Sequence, residues 1–171
     1  MIPSRKDALM KKMICLLLAF LVLALPLSSC AKSYADDLSA KELGTQIAAH
    51  LRGSVDDYSI ADNGYLDDYF QLPDYITDHM ICFSTIGNNL DEFGVFHVTA
   101  GNASDLEDKL EDYLESAYEK NKDYYNSYMP EETPKLRDAE VETFGNYVVY
   151  TILSDKDEKV ALDAIQKALK K

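Results

Sequence analysis

The residues of this chain able to do chemistry are three histidines, a cysteine inside an apolar stretch, several paired carboxylates and a run of tyrosines. A metal site on His79 and His97, with His50 the third histidine, needs imidazoles on one face of a hairpin. With a turn centred between Asn88 and Asn89, cross-strand partner numbers sum to 177. His79 then lies opposite Val98 and His97 opposite Met80, which sends the two rings to opposite faces. A one-residue slip would pair them directly, so the expectation of no metal site depends on register. Cys82 stands between Ile81 and Phe83. A nucleophilic thiol needs a partly exposed, electropositive setting that lowers its pKa, and this one is apolar on an acidic background. A buried structural thiol is expected. No G-x-S-x-G, H-E-x-x-H, P-loop or Rossmann glycine pattern occurs, and no catalytic residue is assigned.

Carboxylates are the most visible polar feature: Asp36-Asp37, Asp56-Asp57, Asp67-Asp68 and the run Asp155-Lys156-Asp157-Glu158. Calcium takes six to eight oxygens. Around the one EF-like glycine, Gly64, Ser59 and Ala61 stand where ligating acids belong, and Phe70 stands where the bidentate Glu belongs. A solvated acidic surface with no metal and no cofactor is therefore expected. A hydrolase would need two carboxylates about 5–9 Å apart in a cleft, and Glu92, Glu140 and Glu142 are the candidates. Tyr118, Tyr124, Tyr125 and Tyr128 cannot all face one core at helical spacing. Some must leave it, either as an interaction patch for sugars or a protein, or as amphipathic rings covering the sheet edge with their hydroxyls in water.

The elements that position these groups follow from periodicity. Ser39 and Glu42 read as a capping box opening a helix with Leu43, Ile47 and Leu51, ending near Gly53. Residues 54–75 are broken by Asn63-Gly64 and Pro73, with one helical turn over Tyr65–Phe70. Strands are expected over Thr77–Ile86 and Glu92–Thr99 around Gly87-Asn88-Asn89. Ser104 and Glu107 suggest a second capping box and a long helix to about Tyr128, stopped by Pro130 and Pro134. Ala139–Thr143 and Tyr147–Leu153 form a second hairpin turning at Gly145-Asn146. A closing helix begins near Ser154 or Asp155 with Ala161, Leu162, Ile165, Ala168 and Leu169 as its stripe. The expected fold is α+β, in the order α-β-β-α-β-β-α: a four-stranded antiparallel sheet from two hairpins, with helices packed on a face.

Of 171 residues, 30 are Asp or Glu and 17 Lys or Arg, a net charge of −13. Residues 1–29 hold Arg5, Lys6, Lys11 and Lys12 against Asp7, and from position 30 onward 13 basic and 29 acidic residues leave −16. Such a body excludes a nucleic-acid partner, which would need clustered cations. The basic head precedes Met13–Leu25, an uncharged apolar run too short to span a bilayer comfortably and suited to a signal-peptide core. Cys15 lies inside that run and would be removed with it.

Leu27-Ser28-Ser29-Cys30 closes that run and resembles the lipobox of bacterial lipoproteins. The resemblance implies cleavage between Ser29 and Cys30 and a diacylglyceryl group on the Cys30 thiol. The alternatives are an ordinary secreted protein or a single uncleaved anchor. The implied organisation is a lipoprotein signal peptide over 1–29, a lipidated cysteine and flexible polar tether over 30–37, and one domain over 38–171. Seven tether residues reach only about 15 Å. From about Ser39 to the C-terminus the chain also resembles a family of small, mostly Gram-positive lipoproteins catalogued as a domain of unknown function. The likeness rests on Glu92-Phe93-Gly94-Val95-Phe96, on Tyr128-Met129-Pro130-Glu131 with Lys135-Leu136, and on Val141 with Gly145-Asn146-Tyr147-Val148-Val149. The long helix carries Lys120 and Lys122 where the family has an arginine. No activity, ligand or catalytic residue comes with the resemblance.

The expectation is an extracytoplasmic, lipid-anchored binding or protein-interaction module. Its partners are the membrane through its lipid and an envelope protein or small ligand. An accessory or chaperone-like subunit and a carboxylate-based envelope hydrolase are the alternatives.

Overall fold

The computed structural model describes residues 33–52, 55–61 and 71–171. Cys30, with Leu27, Ser28 and Ser29, lies outside the described residues, as do Gly64, Asp67-Asp68 and the turn expected over Tyr65–Phe70. The chain runs α1 (Ala40–Arg52), a 3₁₀ turn (Val55–Asp57), β1 (Tyr58–Ile60), β2 (Ile76–Ser84) and β3 (Glu92–Val98). It continues with α2 (Ala103–Tyr128), α3 (Thr133–Arg137), β4 (Glu140–Phe144), β5 (Tyr147–Ile152) and α4 (Asp155–Leu169). No described helix is long and apolar enough to cross a membrane.

The α+β class holds, but among the described residues the sheet has five antiparallel strands rather than four, in the order β1-β2-β3-β5-β4. The added strand is β1, which pairs Tyr58 with Ser84 and Ile60 with Cys82. Helices also cover both faces, not one. Phe93, Val95, Tyr147 and Val149 pack with Leu43, Ile47, Ile165 and Leu169 of α1 and α4. Phe96, Val98, Val148 and Tyr150 pack under Leu106, Leu110 and Leu114 of α2. A strand buried on both sides carries apolar residues at consecutive positions, and all six residues of β5 are buried.

The capping box at α1 forms as expected: Ser39 N–H donates to Glu42 Oε2 at 2.8 Å, and Glu42 N–H donates to Ser39 Oγ at 3.1 Å. The one expected at Ser104 does not. α2 starts at Ala103 behind Asn102, with no side-chain cap. Pro134, expected as a breaker, instead sits in the first turn of α3, where its missing N–H costs nothing. The β2–β3 register pairs His79 with Phe96 and Asp78 with His97, two residues from the expected pairing. Asn88, at φ 64°, takes the tight position of the connecting turn. An even shift preserves the faces, so His79 and His97 do emerge on opposite sides. β4 and β5 meet across Gly145-Asn146 as expected, with Gly145 at φ 68°.

The segment expected to be a flexible tether is docked from Tyr34 on. Ala35 N–H donates to the Leu169 carbonyl at 2.8 Å, and Tyr34 bridges Lys170. The Tyr34 ring meets Phe144 edge-on at 5.6 Å. Asp36 reaches His97 Nε2 at 2.8 Å and accepts from Asn146 Nδ2 at 2.9 Å. These contacts replace water at a strap only a few residues long, which is why composition alone suggested a free linker.

Candidate functional site

Helix α2 is the element that organises the surface. Its 26 residues span about 39 Å, yet its buried residues Leu106, Leu110 and Leu114 all fall in the first half. The second half is less covered, with Ala117, Tyr118 and Tyr125 only partly buried against the same core. Along one flank, Lys109, Asp112, Ser116 and Lys120 recur at helical spacing and wall a groove of about 800 Å³. Its other side comes from Glu92 and Ile152 at the sheet end and from Leu136 of α3. That volume falls in the range of small-ligand sites.

Glu92 is buried at the margin of this groove and accepts a hydrogen bond from Tyr150 Oη at 2.5 Å. The position depends on Gly94. A Cβ there would stand 2.2 Å from the Tyr150 ring, so only glycine lets the ring cross β3. Glu140 and Glu142 are exposed on β4 and register with Thr151 and Val149, on the face opposite Glu92. The three candidate carboxylates are therefore not brought together. The carboxylate that shares Glu92's groove is Asp112.

The tyrosines split. Tyr124 and Tyr128 are 58% and 71% exposed, and their rings lie 4.8 Å apart, with Tyr125 edge-on to Tyr124 at 5.5 Å. Tyr125, half-buried, also lines the groove. Tyr118 is half-buried on the other flank of α2 and lines a second cleft of about 450 Å³ against β4. A three-tyrosine cluster thus occupies the free end of the helix, and Tyr118 does not join it.

Cys82 is fully buried and unpaired, and burial pushes its thiol up to about 12, so it holds no thiolate at neutral pH. His97 stacks on Tyr147 at 4.5 Å between Asp36 and Thr77, and His79 stacks on Phe96. His50 Nδ1 lies 2.7 Å from the Gln46 carbonyl on α1. Among the described residues no cluster of His, Cys, Asp or Glu could hold a metal ion.

A second polar centre joins residues far apart in the chain. Asp91, 6% exposed, pairs with Arg52 of α1 and, at 2.6 Å, with Lys135 Nζ of α3. Lys135 also reaches Glu132 at 2.7 Å, and the Arg52 guanidinium lies 5.1 Å over the Tyr58 ring. Burial pushes the Asp91 carboxyl up, but hydrogen bonds from Lys135 and Arg52 outweigh this and hold it below the ordinary carboxylate range. Its partners lie 39 and 44 residues away, beyond any spacing argument.

Residues 53–153 match the family model described as "Domain of unknown function (DUF4358)". The matched stretch holds the whole sheet with α2 and α3, while α1 and α4 lie outside it. No curated protein and no solved structure matches the chain.

Proposed function

The chain belongs to the DUF4358 family, a domain of unknown function, and on that premise we propose a membrane-anchored, extracytoplasmic binding module held by a lipid on Cys30. One observation carries the reading. The docked strap meets the sheet at His97 and Asn146, while the groove opens at the other end of the same strands, at Glu92 and Ile152. Five steps along β3 separate His97 from Glu92, about 17 Å. A chain tethered through Cys30 therefore presents its strap end to the bilayer, and α2 carries the groove and the tyrosine cluster outward. The −16 of the chain from position 30 onward favours this pose, because an anionic surface repels it. Two acyl chains supply stable attachment where charge cannot.

An accessory subunit differs from this reading only in its partner. The hydrolase alternative now rests on Glu92 and Asp112, which share the groove, since Glu140 and Glu142 stand on the opposite face of the sheet from Glu92.

The test has two readouts. Mass spectrometry of the membrane-extracted protein is expected to find an N-terminal Cys30 carrying a diacylglyceryl group, and Cys30→Ala is expected to abolish both modification and retention. An unmodified Cys30 would overturn the anchor. A photo-crosslinking residue at Lys120, on the groove, is expected to trap a discrete partner in intact cells, while one at exposed Lys41 on α1 is not. Equal labelling at both positions would overturn the binding site.

A further inference from the structure

The outer edge of β4 is bordered by no strand among the described residues, because the sheet ends there. Phe144 and Tyr147 flank the two-residue turn as a hydrogen-bonded pair. Alternation then turns the N–H and C=O groups of Glu142 and Glu140 toward β5 and leaves those of Val141 and Thr143 pointing outward. No backbone partner meets either residue on that side among the described residues. Thr143 Oγ1 is also buried without a hydrogen-bond partner.

Both flanks of this edge are acidic. On the α4 side Glu140 and Glu142 approach Glu158, whose carboxyl is pushed up by burial and then by Glu140, with Asp155 and Glu142 adding. On the α2 side Glu111 and Glu115 rim the 450 Å³ cleft, whose apolar walls include Leu114, Tyr118 and Val141. None of these six carboxylates forms an ion pair among the described residues, and nearby Arg137 is engaged by Asp138. Charged side chains commonly guard edge strands against self-association. Here the six acids share one sign and none is ion-paired among the described residues, while Arg137, which also lines the cleft, is held by Asp138. A second copy joining through β4 would set Glu140 and Glu142 against like charges, so the edge rejects its own kind and suits a cation.

We propose that β4 is a docking edge for an extended segment of another protein in which Lys or Arg alternates with an aliphatic residue. Added as a sixth strand, such a segment pairs its backbone with Val141 and Thr143. Its basic side chains fall on the face of Glu140, Glu142 and Glu158, and an aliphatic one enters the cleft beside Val141 and Leu114. This deepens the binding-module reading but uses a different surface, and crosslinking at Lys120 tests that reading separately.

The experiment uses the full chain in a zwitterionic nanodisc at physiological ionic strength, so that the bilayer offers the probe no net charge. The probe is a heptapeptide alternating Lys and Val. Two controls share its composition: one in block order, one N-methylated on the valines. Amide exchange at Val141 and Thr143 is expected to slow at least tenfold on binding. Both controls, and the exposed-site variant Glu142→Lys at unchanged melting temperature, are expected to bind at least tenfold more weakly. Equal affinity of the block-order peptide would mean charge attraction alone and would overturn the proposal. So would protection confined to residues away from β4, or no binding.

Discussion

Asp91 and Glu158 are both carboxylates withdrawn from water beside the sheet, and their surroundings drive them in opposite directions. Asp91 is clamped by Arg52 and Lys135, whose hydrogen bonds hold its pKa below the ordinary value. Glu158 meets Glu140, Asp155 and Glu142, accepts only a 3.3 Å hydrogen bond from Thr151 Oγ1, and is pushed up. Where a charge is fully answered inside the chain, it ties elements together, here α1, the β2–β3 turn and α3. Where charge accumulates without an internal answer, the fold bears a standing cost, and that cost marks a surface able to gain from an external cation.

The comparison breaks most visibly at Asp91. Asp91→Ala leaves Arg52 with Tyr58 and Lys135 with Glu132 as their remaining partners, in a site where the two side chains are only 18% and 15% exposed. Loss of one partner of a buried ion pair costs about 3–5 kcal/mol. Residual exposure of both cations places this variant at the lower end, about 3 kcal/mol. Equilibrium urea unfolding would measure it, and a loss below about 1 kcal/mol would show that the pairs behave as exposed surface bridges. The wild-type contribution follows from the lowered carboxyl. It is fully present above the unfolded value of about 3.9 and is lost as pH falls through the folded value.

Neither centre was legible in the sequence, while much of the scaffold was. Ser39 and Glu42 lie three residues apart and make one local bond network, so their capping box could be read directly. The same logic failed at Ser104, where Asn102 starts the helix two residues earlier and Ser104 falls inside the first turn. β1 escaped because three residues, Tyr58-Ser59-Ile60, are too few for a period and depend on β2 for their ladder. Tyr147–Leu153 reads as a strand from its β-branched and aromatic residues, but that all six residues of Tyr147–Ile152 are buried, and the sheet covered on both faces, depends on how the helices pack. That some of the tyrosines leave the core follows from helical spacing, but the departure of Tyr118 to the other flank depends on where α3 and β4 meet α2. The strap and the Asp91 clamp join residues at least 39 positions apart, and only the folded chain brings them together.

A smaller effect sharpens the other side of the comparison. Glu158 has a raised folded pKa, so its ionised form opposes folding, and Glu158→Gln is expected to stabilise the chain at pH 7. Discounted for solvent screening, the gain is a few tenths of a kcal/mol. It should vanish below the unfolded glutamate value of about 4.3, where both side chains are neutral. One molar salt, which shortens the screening length to about 3 Å, should shrink it further while leaving the Asp91→Ala loss largely intact. Thermal melts of both variants across pH and salt would check this, and a destabilised Glu158→Gln would refute the repulsive account of the edge.

The smallest expected effect is that of calcium. Accumulated carboxylates invite a divalent cation, yet calcium gains little from carboxylates that do not converge, because it needs six to eight oxygens within about 2.3–2.6 Å. Glu140 and Glu142 project from alternate residues of one strand, and Glu158 projects from a helix across from them. No described group of acids closes into a set able to hold a metal. Millimolar calcium should therefore leave the melting temperature where a chelator leaves it, apart from the screening that equal ionic strength of sodium chloride reproduces. A rise of several degrees over that sodium control would mean that the edge gathers its carboxylates around an ion. The alternating basic peptide and calcium would then compete for the same charges, and an added strand would no longer be the simplest occupant of β4.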